Sequence, residues 1–572
     1  MKVGTEKSLI PTFYTALFAD VMKHIPERPM LNHDCSYILK RYANEGERFV
    51  TQTLPKLGKA AETSLITLQP LEPVMGFELY HGERLPKLLH SLFIEGWNGD
   101  GWPRYDIRDL RRTESCSFSY SLWIIRQVCL AFSKSKTSEC LEDGSVTISR
   151  FLDRIREVPR ITASSALLCK ARSLIKTVVM EGDDLNPMLA QWEAIPFGRH
   201  GPGAVARREC GREKWSFNYI KGIDPQLYGW RTYQLGSEVP ADSRVCIVPK
   251  DYKSGRIICI EPKEFQFAQQ GLMDILYSLL QNHLLTRQAI SFKDQSKNFL
   301  WSRDYSNATI DLKDASDRVS KDLCRIIFPR SFYRLMTRYR SRRVAHNGVT
   351  YPYHSMATMG SAVCFPLETL VFWSITRATL ELGGYRLQCR VFGDDIICPK
   401  EAYDAVTDSL SSCGFVVNSS KSCNDSLIRE SCGSYYWCGK DVRIVRFQHT
   451  AMNRLDAWIP FAQYAIAFNS NGFIETSRSI LHLLEQLSPV PYGYLGFPDG
   501  PRNNESIRYN KALQRVEVKV PVSCGPRAAG ALPGYTGLYA WIVGNDTHPS
   551  SRMALNRVKR KWISGYSSDT IA

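Results

Sequence analysis

Apolar residues recur at helical spacing through the first third of the chain. Phe13, Leu17, Val21 and Ile25 share one face and Leu122, Ile125, Cys129 and Phe132 another, so the stretch to about residue 180 is predicted to be mainly helical, with these stripes facing a core. From residue 244 the period shortens. Val-Cys-Ile-Val at 245–248 and Arg-Ile-Ile-Cys-Ile at 256–260 flank a turn signal at 251–255, which predicts a hairpin. Residues 308–312 predict a buried strand that carries Asp311, and Asn347-Gly348 between Val344 and Val349-Thr350-Tyr351 predicts a second hairpin. The run 358–361 is a glycine-containing loop feeding a long apolar helix at 363–375. Val391-Phe392 and Ile396-Ile397 then enclose Gly393-Asp394, a third and tighter hairpin. Residues 403–412 follow as a helix and 414–417 as a strand leading to Lys421. Beyond about 450 the pattern turns helical again, with Ile480, Leu483, Leu484 and Leu487 as one stripe.

Composition narrows what such a chain does. With 572 residues, 44% hydrophobic and 11% aromatic, it is expected to fold into about three or four domains or subdomains rather than remain disordered. Lys and Arg outnumber Asp and Glu by 73 to 57, a net charge of +16, and such an excess favours a polyanionic partner such as nucleic acid. The 17 cysteines show no Cys-x-x-Cys pair, so reduced thiols in a cytosol are expected rather than a zinc site. The most apolar window, 361–380, contains Glu368 and Arg377, and no membrane span is predicted. Arg104, Arg108, Arg111 and Arg112 are expected on a solvated face. Arg199 and His200 lie in the Gly-Arg-His-Gly-Pro-Gly loop, which suits either a phosphate contact or a plain turn. The basic run Arg552, Arg557, Lys559, Arg560 and Lys561 suits a solvated tail or an RNA contact.

The candidate chemistry lies in the carboxylates. Asp394 and Asp395 at the tip of the tight hairpin want solvent or a cation, since a buried unpaired carboxylate is costly. Gly-Asp-Asp alone is weak evidence, for roughly one chain in ten of this length carries it by chance. Asp311 at the end of an apolar strand adds weight. Phosphoryl transfer asks a protein chiefly for two divalent ions clamped by carboxylates on rigid strands, and Asp311 with Asp394 and Asp395 would supply that clamp.

At these residues the sequence resembles the RNA-dependent RNA polymerases of positive-strand RNA phages, the Qβ-like levivirus replicases. The matching pieces run in order as Val248-Pro-Lys250 with Glu261-Pro, Thr309-Ile-Asp-Leu with Ala315-Ser-Asp317, Thr358-Met-Gly360, Phe392-Gly-Asp-Asp-Ile-Ile-Cys-Pro399 and Arg429-Glu-Ser-Cys-Gly433. They cover roughly residues 195 to 450. The resemblance implies that Asp311 and Asp394, with Asp395 adjacent, hold two Mg2+ ions, with Mn2+ as a substitute. It implies that Lys250 and Arg256 cradle the nucleotide triphosphate, and that Asp317, Thr358, Gly360 and Ser361 lie around ribose and template. Lys421 becomes a candidate general acid for the pyrophosphate leaving group, beside the plainer possibility of a lysine on a solvated strand. Two departures stand out: Phe392 where relatives carry Tyr, and Ser361 where they carry Asn.

The fold so implied is α+β, a right-hand polymerase with an antiparallel palm sheet and many helices. Its expected parts are a helical N-terminal region of the fingers at 1–180, the fingers with the basic hairpin at 181–300, the palm at 301–450, and a mainly helical thumb with a basic tail at 451–572. The expected function is RNA-templated RNA synthesis from ribonucleoside triphosphates, without a primer, in the cytoplasm of a bacterial host. Expected partners are RNA template and product, ribonucleoside triphosphates, host elongation factors Tu and Ts and a ribosomal small-subunit protein, with no membrane. A reverse transcriptase and a non-catalytic basic RNA-binding protein are the alternatives, the first disfavoured by Asp317 and the second by three carboxylates placed for metal.

Overall fold

The computed structural model describes residues 9–135, 144–194, 196–201, 203–215, 241–249, 255–450, 458–487, 507–510, 512, 515–524 and 557–564. The fold is α+β, with helices around small sheets whose strands, among the described residues, pair antiparallel apart from Ser243–Pro249 with Arg343–His346.

The strand Asn307–Ile310 is an outer strand of the site's three-stranded sheet, whose central strand is Asp395–Pro399. All four of its residues are buried, and it finds backbone partners on both sides. Asp395–Pro399 runs antiparallel along one edge with Ile310 opposite Ile396. On the other edge Thr309 exchanges backbone hydrogen bonds with Cys423, at 3.0 and 2.8 Å. The expected single strand 308–312 is in fact broken at Asp311. Beyond it Leu312–Lys313 pairs with Val416–Val417 instead, so the chain changes partners at the aspartate. The tight hairpin is present as Arg390–Phe392 and Asp395–Pro399.

A core of the helices Ser165–Val179, Lys263–Asn282 and Cys364–Leu382 supports this sheet through Ile310, Val391 and Ile396. The long helix Cys364–Leu382 is buried over most of its length, as its largely apolar sequence requires. The basic hairpin forms as Ser243–Pro249 and Gly255–Ile260, within a four-stranded sheet completed by the Asn347-Gly348 hairpin. The helix Gly144–Arg156 lays Phe151, Leu152 and Ile155 against that sheet at Val245, Cys259, Val344 and Tyr353.

A second core joins the two ends of the chain. Phe13, Leu17, Leu122 and Phe132 pack with Trp437, Phe447, Phe468 and Leu484, and the rings of Phe132 and Phe447 stack at 4.8 Å. Alongside the helices expected after residue 450, Trp458–Ser470 and Ile474–Leu487, the described residues form a three-stranded antiparallel sheet of Ile507–Asn510, Arg515–Cys524 and Arg557–Ser564. Val516, Val518, Val520 and Val522 alternate at period two, a strand signal that outweighs the helical one there. Arg557, Lys559, Arg560 and Lys561 fall on the last of these strands, and Arg552 lies outside the described residues. Among the described residues no helix is long and apolar enough to cross a membrane, and the cysteines are free thiols.

Candidate active site at the aspartate hairpin

Phe392 faces Asp395 across the hairpin, leaving a two-residue loop. Gly393 alone in that loop has positive φ, +61°, the signature of a type II′ turn. A side chain there would meet Phe365, since a Cβ on Gly393 would lie 2.4 Å from its ring. The Gly393 N–H donates to Thr369 Oγ1 at 3.0 Å, tying the tip to the long helix. Asp394 belongs to the loop and Asp395 begins the strand, and the two aspartates meet different surroundings. Asp394 lines a cavity of about 610 Å³ together with Asp311. Asp395 accepts the Cys432 backbone N–H at 3.2 Å.

Asp311 is held on both its backbone and its side chain. Its carbonyl accepts from the Asn418 N–H at 2.8 Å, and its Oδ2 accepts from Asn418 Nδ2 at 2.6 Å. Lys421 Nζ stands 3.5 Å from the same oxygen. The cavity also receives Asp317 and Glu368, and on its basic side Arg150, Arg154 and Arg256.

So many carboxylates in a dry place oppose one another's ionisation. Burial first, and then the Asp311 charge, raises the pKa of Asp394. Burial with Glu430, Asp394 and Asp311 pushes Asp395 up to about 8. Glu430 rises to about 7 by burial, with Lys421 opposing, and Glu368 rises well above the carboxylate range by burial and the charges of Asp394 and Asp317. Burial works against the Lys421 ammonium, but Asp311, Glu430 and Asp395 outweigh it and raise its pKa. Lys421 is therefore a protonated donor beside the cluster.

Among the described residues no three His, Cys, Asp or Glu side chains are grouped so that together they could hold a metal ion. The donors are instead neighbouring carboxylates open to a cavity. This suits Mg2+, a hard ion that takes one or two carboxylates and completes its shell with water and substrate phosphate.

The remaining predicted site residues divide between two cavities. Arg256, opposite Val248 on the basic hairpin, and Asp317 line the aspartate cavity. Lys250 lies outside the described residues. Thr358 is buried behind the loop. Gly360, at φ +107°, fits so closely that a Cβ would lie 2.3 Å from the Cys259 carbonyl oxygen. Gly360 and Ser361 open on a second cavity of about 410 Å³, where Ser361 Oγ donates to Gln269 Oε1 at 3.1 Å. Arg199 and His200 line that second cavity as well. Arg199 pairs with Asp274 at 2.9 Å. His200 packs edge-on to Trp215 at 5.1 Å, and burial lowers its pKa to about 3, so it is a neutral ring at ordinary pH.

Sequence reasoning missed Asn418, Glu368, Glu430, Arg150 and Arg154. The last two are one helical turn apart, and that spacing was a signal for a shared face.

Residues 224–459 match the family model described as RNA replicase, beta-chain. The RNA-directed RNA polymerase subunit beta of Qbeta virus (strain MX1) is 33% identical over 226 residues, 38% of this chain and 38% of that protein. The RNA-directed RNA polymerase beta chain of Escherichia phage MS2 is 35% identical over 203 residues, 35% of this chain and 36% of that protein. The matched stretch thus spans under two fifths of these relatives' own length. Among solved structures, the RNA-dependent RNA polymerase of a human picorbirnavirus aligns with 75% of this chain and 87% of its own, at 13% identity and a TM-score of 0.43. Residues 224–459, which hold every aspartate of the site, are thus similar to the RNA replicase beta chains.

Proposed function

We propose that this chain joins ribonucleotides on an RNA template. The observation that carries the proposal is the meeting of Asp311 and Asp394, from two different strands, in one cavity with Arg256 and Lys421. Asp311 and Asp394, with Asp395 adjacent, would hold two Mg2+ ions, or Mn2+ in their place. Such ions supply charge neutralisation for the attacking and leaving oxygens.

The chain's own residues do the rest. Arg256 holds the triphosphate together with Lys250. Asp317 accepts a hydrogen bond from the ribose 2′-OH, the group that marks RNA, and Thr358, Gly360 and Ser361 shape the neighbouring template side. The 3′-OH of the growing strand, or of a first nucleotide, gives up its proton to solvent water as its oxygen attacks the α-phosphorus. The bond to the bridging oxygen breaks, and Lys421 gives its proton to the departing pyrophosphate. The fingers comprise residues 1–300, the palm 301–450 and the thumb 451–572. The names "subunit beta" and "beta chain" of the relatives support work within a larger assembly. For that assembly we propose host elongation factors Tu and Ts and a ribosomal small-subunit protein, in the bacterial cytoplasm.

The test is labelled ribonucleotide incorporation on added RNA with magnesium. The wild type should incorporate, whereas Asp311→Asn and Asp394→Asn should lose at least about a thousandfold in rate while still folding and binding RNA. Near-normal turnover by Asp394→Asn at saturating magnesium would refute the metal assignment. Incorporation of deoxynucleotides in preference would make the enzyme a reverse transcriptase, and RNA binding without incorporation would leave an RNA-binding protein.

A further inference from the structure

The helix Gly144–Arg156 precedes the stretch that carries the family likeness, yet Thr147, Arg150 and Arg154 on it line the aspartate cavity. Its apolar face is fixed to the sheet of the basic hairpin by Phe151, Leu152 and Ile155, so these polar residues are presented from a rigid support. Arg154 makes two contacts. Its Nη1 lies 2.5 Å from Asp314 Oδ1 and its Nε 3.3 Å from Asp317 Oδ2. The Arg154 side chain is 26% exposed and that of Asp317 13%, so solvent screens the pair little.

Asp317 needs such a partner. Its backbone is pinned where Ser355 Oγ donates to its carbonyl at 2.5 Å, but its carboxylate feels the like charges of exposed Asp314 and buried Glu368. Burial raises its pKa to about 6 and the Arg154 charge opposes that rise. Ser361, also expected around ribose and template, is turned to Gln269 in the second cavity.

We propose that Arg154 is a positioning residue for sugar selection: it holds the Asp317 carboxylate in the orientation that accepts the 2′-OH, and couples it to the sheet that carries Arg256. This rests on the ribose role of Asp317 proposed above. Without the guanidinium the carboxylate is free to turn from the sugar, and ribonucleotides lose their advantage over deoxyribonucleotides. Chemistry on either sugar then changes less than the choice between them.

The test compares kcat/KM for UTP and for 2′-dUTP in single-nucleotide extension by the full chain, in the wild type, Asp317→Asn, Arg154→Met, Arg154→Lys and the double variant Arg154→Met/Asp317→Asn. Arg154→Met should lower the ribo/deoxy ratio about tenfold, the usual scale for a residue that orients another. Arg154→Lys should restore part of it, and the double variant should fall no further than Asp317→Asn alone. Arg154→Gln replaces Arg154→Met if the latter does not fold. If Asp317→Asn lowers the ratio but neither Arg154→Met nor Arg154→Gln does, Arg154 is only an anchor for its helix and the proposal fails. If Asp317→Asn itself leaves the ratio unchanged, the ribose role of Asp317 falls, and this proposal with it.

Discussion

Asn418 donates to the Asp311 carboxylate at 2.6 Å, while its backbone N–H holds the Asp311 carbonyl. The side-chain bond fixes which lone pairs of Asp311 remain for a cation, and groups that orient a ligand in this way are typically worth 10–100-fold in metal affinity or activity. Asn418→Ala should therefore raise the magnesium concentration for half-maximal incorporation by about tenfold, and excess magnesium should recover most of the rate. A magnesium titration superimposable on the wild type would show that Asp311 needs no such support. The contrast with the aspartates explains what the sequence could reveal at this scale. Asp311 and Asp394 are legible because carboxylates at the ends of apolar runs are costly unless they serve a purpose. An asparagine beside Ser419-Ser420 looks like any turn former, and only the change of strand partner at Asp311 brings it to the site. Glu368, an acid inside an apolar helical run, carries the same signal as the aspartates, but in the sequence it speaks only against a membrane span.

At the scale of elements, local pairings were readable and distant ones were not. The hairpins at 347–348 and 393–394 and the long helix Cys364–Leu382 follow from turn residues and periodicity that act over a few positions. The helix Ile474–Leu487 is different, for its first turn is capped by a residue from the other end of the chain. Asp20, buried on the helix Leu9–His24, accepts from the Glu475 and Thr476 N–H groups at 3.0 and 2.8 Å and from Thr476 Oγ1 at 2.9 Å. A carboxylate suits the positive end of a helix, where free N–H groups need acceptors. No pattern within residues 9–24 signals this partner. Asp20→Ala should destabilise the core shared by the chain ends by about 2–3 kcal/mol, since it leaves buried donors without an acceptor. The expected result is a lower urea midpoint followed at Trp123, whose ring lies 4.4 Å from that of Phe473. Asp20→Asn should retain part of the loss, and an unchanged midpoint in Asp20→Ala would show that the cap contributes nothing.

For the whole molecule, charge sets the terms on which RNA is met. The net charge is +16, yet several basic groups at the site are already engaged with acids, as Arg154 is with Asp314 and Asp317 and Lys421 is with Asp311. If the chain copies RNA as proposed, template binding draws on basic groups beyond these, through phosphates that carry no sequence information. Each neutralised phosphate of a single strand contributes about −0.7 to the slope of log K against log salt. With roughly eight to ten such contacts, the slope should be about −6 to −7, and affinity should fall by about four orders of magnitude from 50 to 200 mM salt. RNAs of unrelated sequence should show the same slope and nearly the same affinity. Fluorescence anisotropy on two unrelated RNAs across that salt range measures both quantities. A slope shallower than about −2, or a strong preference for one RNA that survives at high salt, would mean that the chain reads bases directly and needs no other subunit to choose its template.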